Sequence, residues 1–221
     1  MSTSANTSIK QRIHITFGKF DALKYTSTLD LAKVWERVLR RANLPILYSQ
    51  GFNTRPRMQL ASALPLGITS ECEVLDVSLR TPIALEGVVE QLLAVSPNGL
   101  KIYTINEVPV DNPSLQQLVS RAKYRVILKD DVDYTTIQQK IDALLAADRI
   151  IKEYMRKRRK NYIDLRPLIY GIHLDENNHL IMDLSAGDRG NVRLQDIMEN
   201  LGLDNVHYSA HRYSLTIDTY R

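Results

Sequence analysis

Apolar positions along the chain change their period several times, and each change marks an element. Residues 12–17 (RIHITF) alternate apolar with polar and are rich in β-branched side chains, which predicts a strand. From Leu29 the apolar residues recur at helical spacing: Leu29, Leu31, Ala32, Trp35, Val38, Leu39 and Ala42 form one broad stripe. Trp35 lies on that stripe and is expected in the core. Ser27 or Thr28 stands at the N-cap, and Pro45 closes the helix. Strands are expected again over 57–64, 73–79 and 100–110, with an amphipathic helix over 83–95 and Gly99 near its cap.

The order strand, helix, strand, strand, helix, strand is the split βαβ, ferredoxin-like pattern, an antiparallel sheet with both helices on one face. Asp111-Asn112-Pro113-Ser114 interrupts it. The rhythm then restarts: strand at 123–129, helix at 134–147, strand at 148–156, a hairpin over 170–184, helix at 192–201 and strand at 208–220. No residue-level repeat accompanies it. The expected architecture is α+β, with two ferredoxin-like (split βαβ) units and antiparallel sheets. A disordered tail is expected over 1–11, the N-terminal domain over 12–112, a linker or short helix over 113–122 and an α+β C-terminal domain over 123–221.

Composition narrows the function classes. The chain is mildly basic, +4 with a pI near 9.1, which supports a polyanion partner only where charge clusters. Its one cysteine, Cys72, cannot build a disulfide framework or hold an iron–sulfur cluster, and it fits a reducing cytoplasm. Cys72 sits beside Glu71 and Glu73, which disfavour a thiolate. No apolar run is long enough to span a membrane, and the polar start MSTSANTSIKQ lacks the apolar segment of a signal peptide. The five histidines show no tight metal-ligand spacing apart from His207 and His211, four apart, and that spacing faces one side only in a helix whereas their Tyr-rich flanks read as a strand. No metal and no cofactor is expected.

Charge clusters in two places. Between Leu29 and Arg57, Lys33, Arg37, Arg40, Arg41, Arg55 and Arg57 are opposed only by Asp30 and Glu36. Lys19, Lys24, Tyr25, Ser27 and Asp30 lead into the helix, whose first N–H groups attract anions. Asp30 weakens that attraction and is expected to orient Lys24 or an arginine of the following loop. That loop, SQGFNTRPR, carries Ser49, Phe52, Asn53, Arg55 and Arg57 after Tyr48. Two guanidiniums on a stiffened turn suit phosphate, since the planar fork donates paired bonds. Phe52 either stacks on a base if exposed or anchors the loop if buried.

The second cluster spans 149–166. Eight basic residues, among them Arg156, Lys157, Arg158, Arg159, Lys160 and Arg166, face only Glu153 and Asp164, and Tyr154 and Tyr162 interleave. A charge run of this kind is either a solvated loop or a phosphate track with stacking aromatics.

The segments FGKFDALKYTSTLDLAKVWERVLRRANLPILYSQGFNTRPRMQLASALPLGITSECE and YIDLRPLI resemble an uncharacterised bacterial domain family linked to, and often fused with, radical S-adenosylmethionine proteins. The family pattern is a basic residue with YxSHLD, then YSxGFNPRPR, then PLGxxSExE. Lys24, Tyr25, Ser27, Leu29 and Asp30 match the first. Tyr48, Ser49, Gly51, Phe52, Asn53, Arg55, Pro56 and Arg57 match the second, and Pro65, Leu66, Gly67, Ser70, Glu71 and Glu73 the third. Thr28 and Thr54 replace the family's His and Pro. The resemblance implies a radical-SAM partner protein and a place in RNA or ribosome metabolism, with no particular reaction.

The expected function is a non-catalytic RNA-binding or substrate-presenting module that works with a radical-SAM enzyme. The alternatives are an enzyme acting on a small anionic or nucleotide substrate, with Ser27, Asp30 and Tyr48 near the chemistry, and a protein–protein adaptor.

Overall fold

In strand β1 (Gln11–Lys19), Ile13, Ile15 and Phe17 point one way and are completely buried, as the alternation predicts. They meet the apolar stripe of helix α1 (Thr28–Arg41), whose Leu31, Trp35, Val38 and Leu39 are buried in the same core. The Trp35 ring stands edge-on to Phe17, with centroids 4.9 Å apart. These facts come from a computed structural model that describes residues 8–156, 159–188 and 190–218.

The end of α1 is set by Asn43 rather than Pro45. Asn43 takes φ 53°, and the N–H groups of Leu44 and Asn43 close back on the carbonyls of Leu39 and Arg40, both at 3.0 Å. Such paired closures satisfy the last helical carbonyls.

The chain divides into two units. The first runs to Leu118 and takes in Asp218. Here β2 (Met58–Leu60), β3 (Thr69–Leu79) and β4 (Leu100–Val108) join β1 in the order β4-β1-β3-β2, every pair antiparallel. Helix α2 (Val88–Leu93) adds Val88 and Leu92 to the core that α1 fills, so both helices cover one face.

Helix α2 is half the length expected. Gly87 adopts φ 74°, which breaks the helix, and the Gln11 amide brackets the main chain of Ile83 with bonds of 2.9 and 3.1 Å. Ile83 and Leu85 still pack against the core, as a non-helical strap.

Of the linker or short helix expected over 113–122, the structure has a short helix, α3 (Leu115–Leu118), running directly into β5 (Val119–Leu128). Leu115 and Val119 are fully buried, which a free linker would not allow.

The second unit, Val119–Ile217, contains β5, α4 (Tyr134–Ala146), β6 (Ile151–Arg156), β7 (Arg159–Asp164), β8 (Ile169–Leu174), β9 (Leu180–Ser185), α5 (Leu194–Asn200) and β10 (Tyr208–Ile217). Its main sheet runs β10-β5-β9-β8, again antiparallel throughout. Leaving out β6 and β7, this is the strand order of the first unit. Those two strands pair only with each other, as a hairpin inserted between α4 and β8.

Candidate functional site

The start of α1 is a closed polar circuit. The Ser27 hydroxyl accepts the N–H of Asp30 at 3.1 Å and donates to the Asp30 carboxylate at 2.7 Å. Lys33 completes it with an ion pair of 3.1 Å to Asp30. The Ser27 hydroxyl and then Lys33 hold the Asp30 carboxyl below its ordinary value. Asp30 was expected to orient Lys24 or a loop arginine; it is used instead to cap its own helix.

Lys19 also departs from expectation. It is completely buried, and its ammonium donates to the carbonyl of Thr26 at 2.8 Å, so it ties β1 to the chain before α1 rather than facing a ligand. Lys24 and Tyr25 do lie at the surface end of a short 3-10 helix (Asp21–Tyr25). The Lys24 ammonium sits 5.0 Å from the centre of the exposed Tyr25 ring, and the Gly67 N–H donates to the Lys24 carbonyl at 3.0 Å. The Pro65-Leu66-Gly67 turn therefore stands beside the entry to α1.

The loop after α1 is a pinned finger. Tyr48 and Pro56 bridge, the Ser49 N–H donates to the Arg55 carbonyl at 2.8 Å, and the Arg55 N–H donates to the Ser49 hydroxyl at 2.9 Å. Its base is stitched to β3 through Leu47 and Arg57, which bond the main chain of Ser78 at 2.9 Å each. Tyr48 lies half-buried near Glu36 and Arg40 of α1. Burial pushes its hydroxyl pKa up, the Glu36 charge adds to this, and Arg40 opposes it. Beyond this base, Phe52, Asn53, Thr54 and Arg55 are exposed, and Phe52 is as accessible as in an open chain. Phe52 is therefore available to stack and does not anchor the loop.

Arg37, Arg40 and Arg41 project from the solvent side of α1. Among the described residues, no carboxylate pairs with Arg37, Arg40, Arg41, Arg55 or Arg57. Arg57 lines a cleft of about 370 Å³ whose floor holds Arg12, Asp76 and Ser78.

In the second unit the β6–β7 hairpin carries the other basic cluster. Lys160 pairs with Glu153 at 2.9 Å, and Tyr162 donates to the same carboxylate at 3.4 Å. Lys152 is drawn to Asp196 and Glu199 on α5. Arg159 is exposed; Lys157, Arg158 and the side chain of Arg156 lie outside the described residues. Arg166 does not fit the anion track. Its guanidinium donates twice to the Leu145 carbonyl, at 2.8 and 3.1 Å, and once to that of Ile169, at 3.1 Å, fastening the end of α4.

Three cations that sequence reading passes over come together on β5. Arg121, Lys123 and Arg125 alternate with buried Ala122, Tyr124 and Val126, so they share the outer side of the second unit's sheet. The clue in the sequence is the alternation RAKYR, which reads as an ordinary strand until the opposite side is known to be open.

Among the described residues, no group of three or more His, Cys, Asp or Glu side chains could hold a metal ion. No described helix is long and apolar enough to cross a membrane.

Among solved structures, the chain is similar to a Cbf5-Nop10-Gar1 complex, at 13% identity and TM-score 0.46, over 92% of this chain and 48% of that one. It is also similar to the archaeal box H/ACA sRNP Nop10-Cbf5 complex, at 13% identity and TM-score 0.42, over 92% of this chain and 47% of that one. The chain thus spans about half the length of the chains it matches. No curated protein matches it. A family model fits residues 12–194, and the chain belongs to that family, described as an uncharacterized protein conserved in bacteria (DUF2344).

Proposed function

We propose that this chain is a non-catalytic module that binds RNA, or presents an RNA substrate, to a radical-SAM enzyme in RNA or ribosome metabolism. In this reading both units are ferredoxin-like, and the protein works in the cytoplasm, where a lone thiol such as Cys72 stays reduced. The surface of α1 and the 49–57 finger bind phosphate through Arg37, Arg40, Arg41, Arg55 and Arg57. Lys24 and Tyr25 extend that surface, Asn53 offers an amide, and Phe52 stacks on a base. The tip of the β6–β7 hairpin adds a second contact through Arg159 and its neighbours.

One observation carries this reading: these guanidiniums are exposed and, among the described residues, no carboxylate pairs with them, while the apolar ring of Phe52 stands unburied on the same finger as Arg55 and Arg57. Chains ordinarily use surface arginines in mixed-sign networks, so an unpaired set favours an external anion. The enzyme alternative is weaker, because Ser27 and Asp30 are both engaged in capping α1.

Titration of the purified chain with structured RNA across a salt series tests the proposal. Binding at low salt whose log affinity falls linearly with log salt is expected. Absence of binding at low salt, or a response flat to salt, overturns it.

A further inference from the structure

The outer side of the second unit's sheet joins cations and aromatic rings in a regular array. On the central strand β5, Arg121, Lys123 and Arg125 point outward in succession. The guanidinium of Arg121 lies over the ring of Tyr170 on β8, 3.8 Å from its centre. That of Arg125 lies 5.6 Å from the ring centre of Tyr213 on β10. Each of the two arginines thus has an aromatic partner, Arg125 on the next strand and Arg121 on the next but one.

The array is open. The Arg121 and Lys123 side chains are 46% and 44% exposed, Tyr170 is 44% exposed, and His173 is exposed on the same side of β8. Gly171 follows Tyr170, and apart from its chain neighbours no atom lies within 4 Å of where its Cβ would stand, so the strand surface beside Tyr170 is open there. The opposing charge is slight. Asp183, across from Lys123 in register, approaches both Arg121 and Lys123 at 3.8 Å, so one carboxylate is shared between two cations.

We infer that this sheet face binds single-stranded RNA, with bases stacked on Tyr170 and Tyr213 and phosphates drawn to Arg121, Lys123 and Arg125. Strands supply a flat platform whose outward residues repeat every second position, which suits a row of unpaired bases. Rings with a free face accept any base, and the cations beside them neutralise the backbone without demanding a sequence. A duplex offers no free base faces to such a platform, so the ligand is an unpaired segment. Three cations against one carboxylate give the charge complementarity. The inference rests on the RNA reading above and assigns it a surface distinct from α1 and its finger.

The test is fluorescence anisotropy of the full chain with a labelled oligouridine, together with ultraviolet crosslinking and mass spectrometry of the tagged peptides. Tyr170→Ala is expected to weaken binding roughly tenfold and Tyr170→Phe to leave it within about twofold, since loss of one base stack has that scale. Crosslinks are expected on the peptides holding Tyr170 or Tyr213. Arg40→Ala with Arg55→Ala provides the contrasting variant on the first unit. If the unaltered chain binds RNA, and Tyr170→Ala and Arg121→Ala with Lys123→Ala all leave affinity unchanged, the sheet face is not the platform, while the RNA reading stands. If the unaltered chain binds no RNA, both fall. Displacement of the oligouridine by polyglutamate of equal charge as readily as by unlabelled RNA would mark an acidic-peptide surface and overturn the inference.

Discussion

Arg12 grips Asp76 across the β1–β3 pair. Its Nε donates to both carboxylate oxygens, at 2.9 and 3.0 Å, and both side chains are more than nine-tenths buried. The rest of the guanidinium donates to the carbonyls of Asn112 and, at 3.0 Å, Pro113. One arginine therefore fastens two strands and holds the chain that crosses their polar face.

Asp76→Ala leaves that guanidinium buried without its counter-charge. A stability loss of about 3–5 kcal/mol is expected in urea unfolding, the scale for breaking one side of a buried pair. A loss below about 1 kcal/mol would show that the clamp is dispensable.

Arg166 and Arg159 separate structure from binding within a single basic cluster. Arg166→Ala strips hydrogen bonds from the carbonyls of Leu145 and Ile169, and a loss of about 1–3 kcal/mol is expected. Its RNA affinity, measured below the unfolding temperature, stays at the level of the unaltered chain. Arg159→Ala gives the converse: melting temperature unchanged and RNA affinity reduced.

The free arginines of the first unit make a quantitative prediction about salt. If Arg40 and Arg55 each neutralise a phosphate, each alanine substitution lowers the slope of log affinity against log salt by roughly 0.7 for a single strand. Both variants should unfold like the parent, because among the described residues neither side chain has a carboxylate partner to lose.

Asp164 gives the second unit an acid-sensitive joint. The N–H groups of Ile150 and Arg166 bond its carboxylate at 2.9 and 3.0 Å and hold its pKa below the ordinary value. A carboxyl depressed in the folded state stabilises fully above its unfolded pKa of about 3.9, and that contribution is lost as pH falls through the folded value. Asp164→Asn should therefore be less stable than the parent at neutral pH, with the gap closing in urea titrations below about pH 4.

Local periodicity made much of the first unit legible. Of the stripe read on α1, Leu31, Trp35, Val38, Leu39 and Ala42 are buried while Leu29 at its start is exposed, and the alternation in β1 is buried as read. The reading fails where a distant partner decides. Nothing near Ile83 in sequence reveals that Gln11 will hold it extended. Nothing in the run 149–166 reveals that Lys152 will turn to Asp196, Lys160 to Glu153 and Arg166 to main-chain carbonyls. Composition counts those cations as equal; tertiary structure engages some and leaves others exposed. Phe52 shows the opposite limit, since an aromatic residue in a polar loop fits either burial or display, and only the pinning of the loop base separates the two.

The two units place their longest excursion at the same step of the winding, between the first helix and the strand that follows it: the 49–57 finger after α1 and the β6–β7 hairpin after α4. A position that tolerates growth in both halves is one at which the four-strand scaffold is indifferent to what is grafted there. What lies beyond the pinned base of the 49–57 finger, from Gln50 to Thr54, is accordingly open to change while the scaffold beneath it persists.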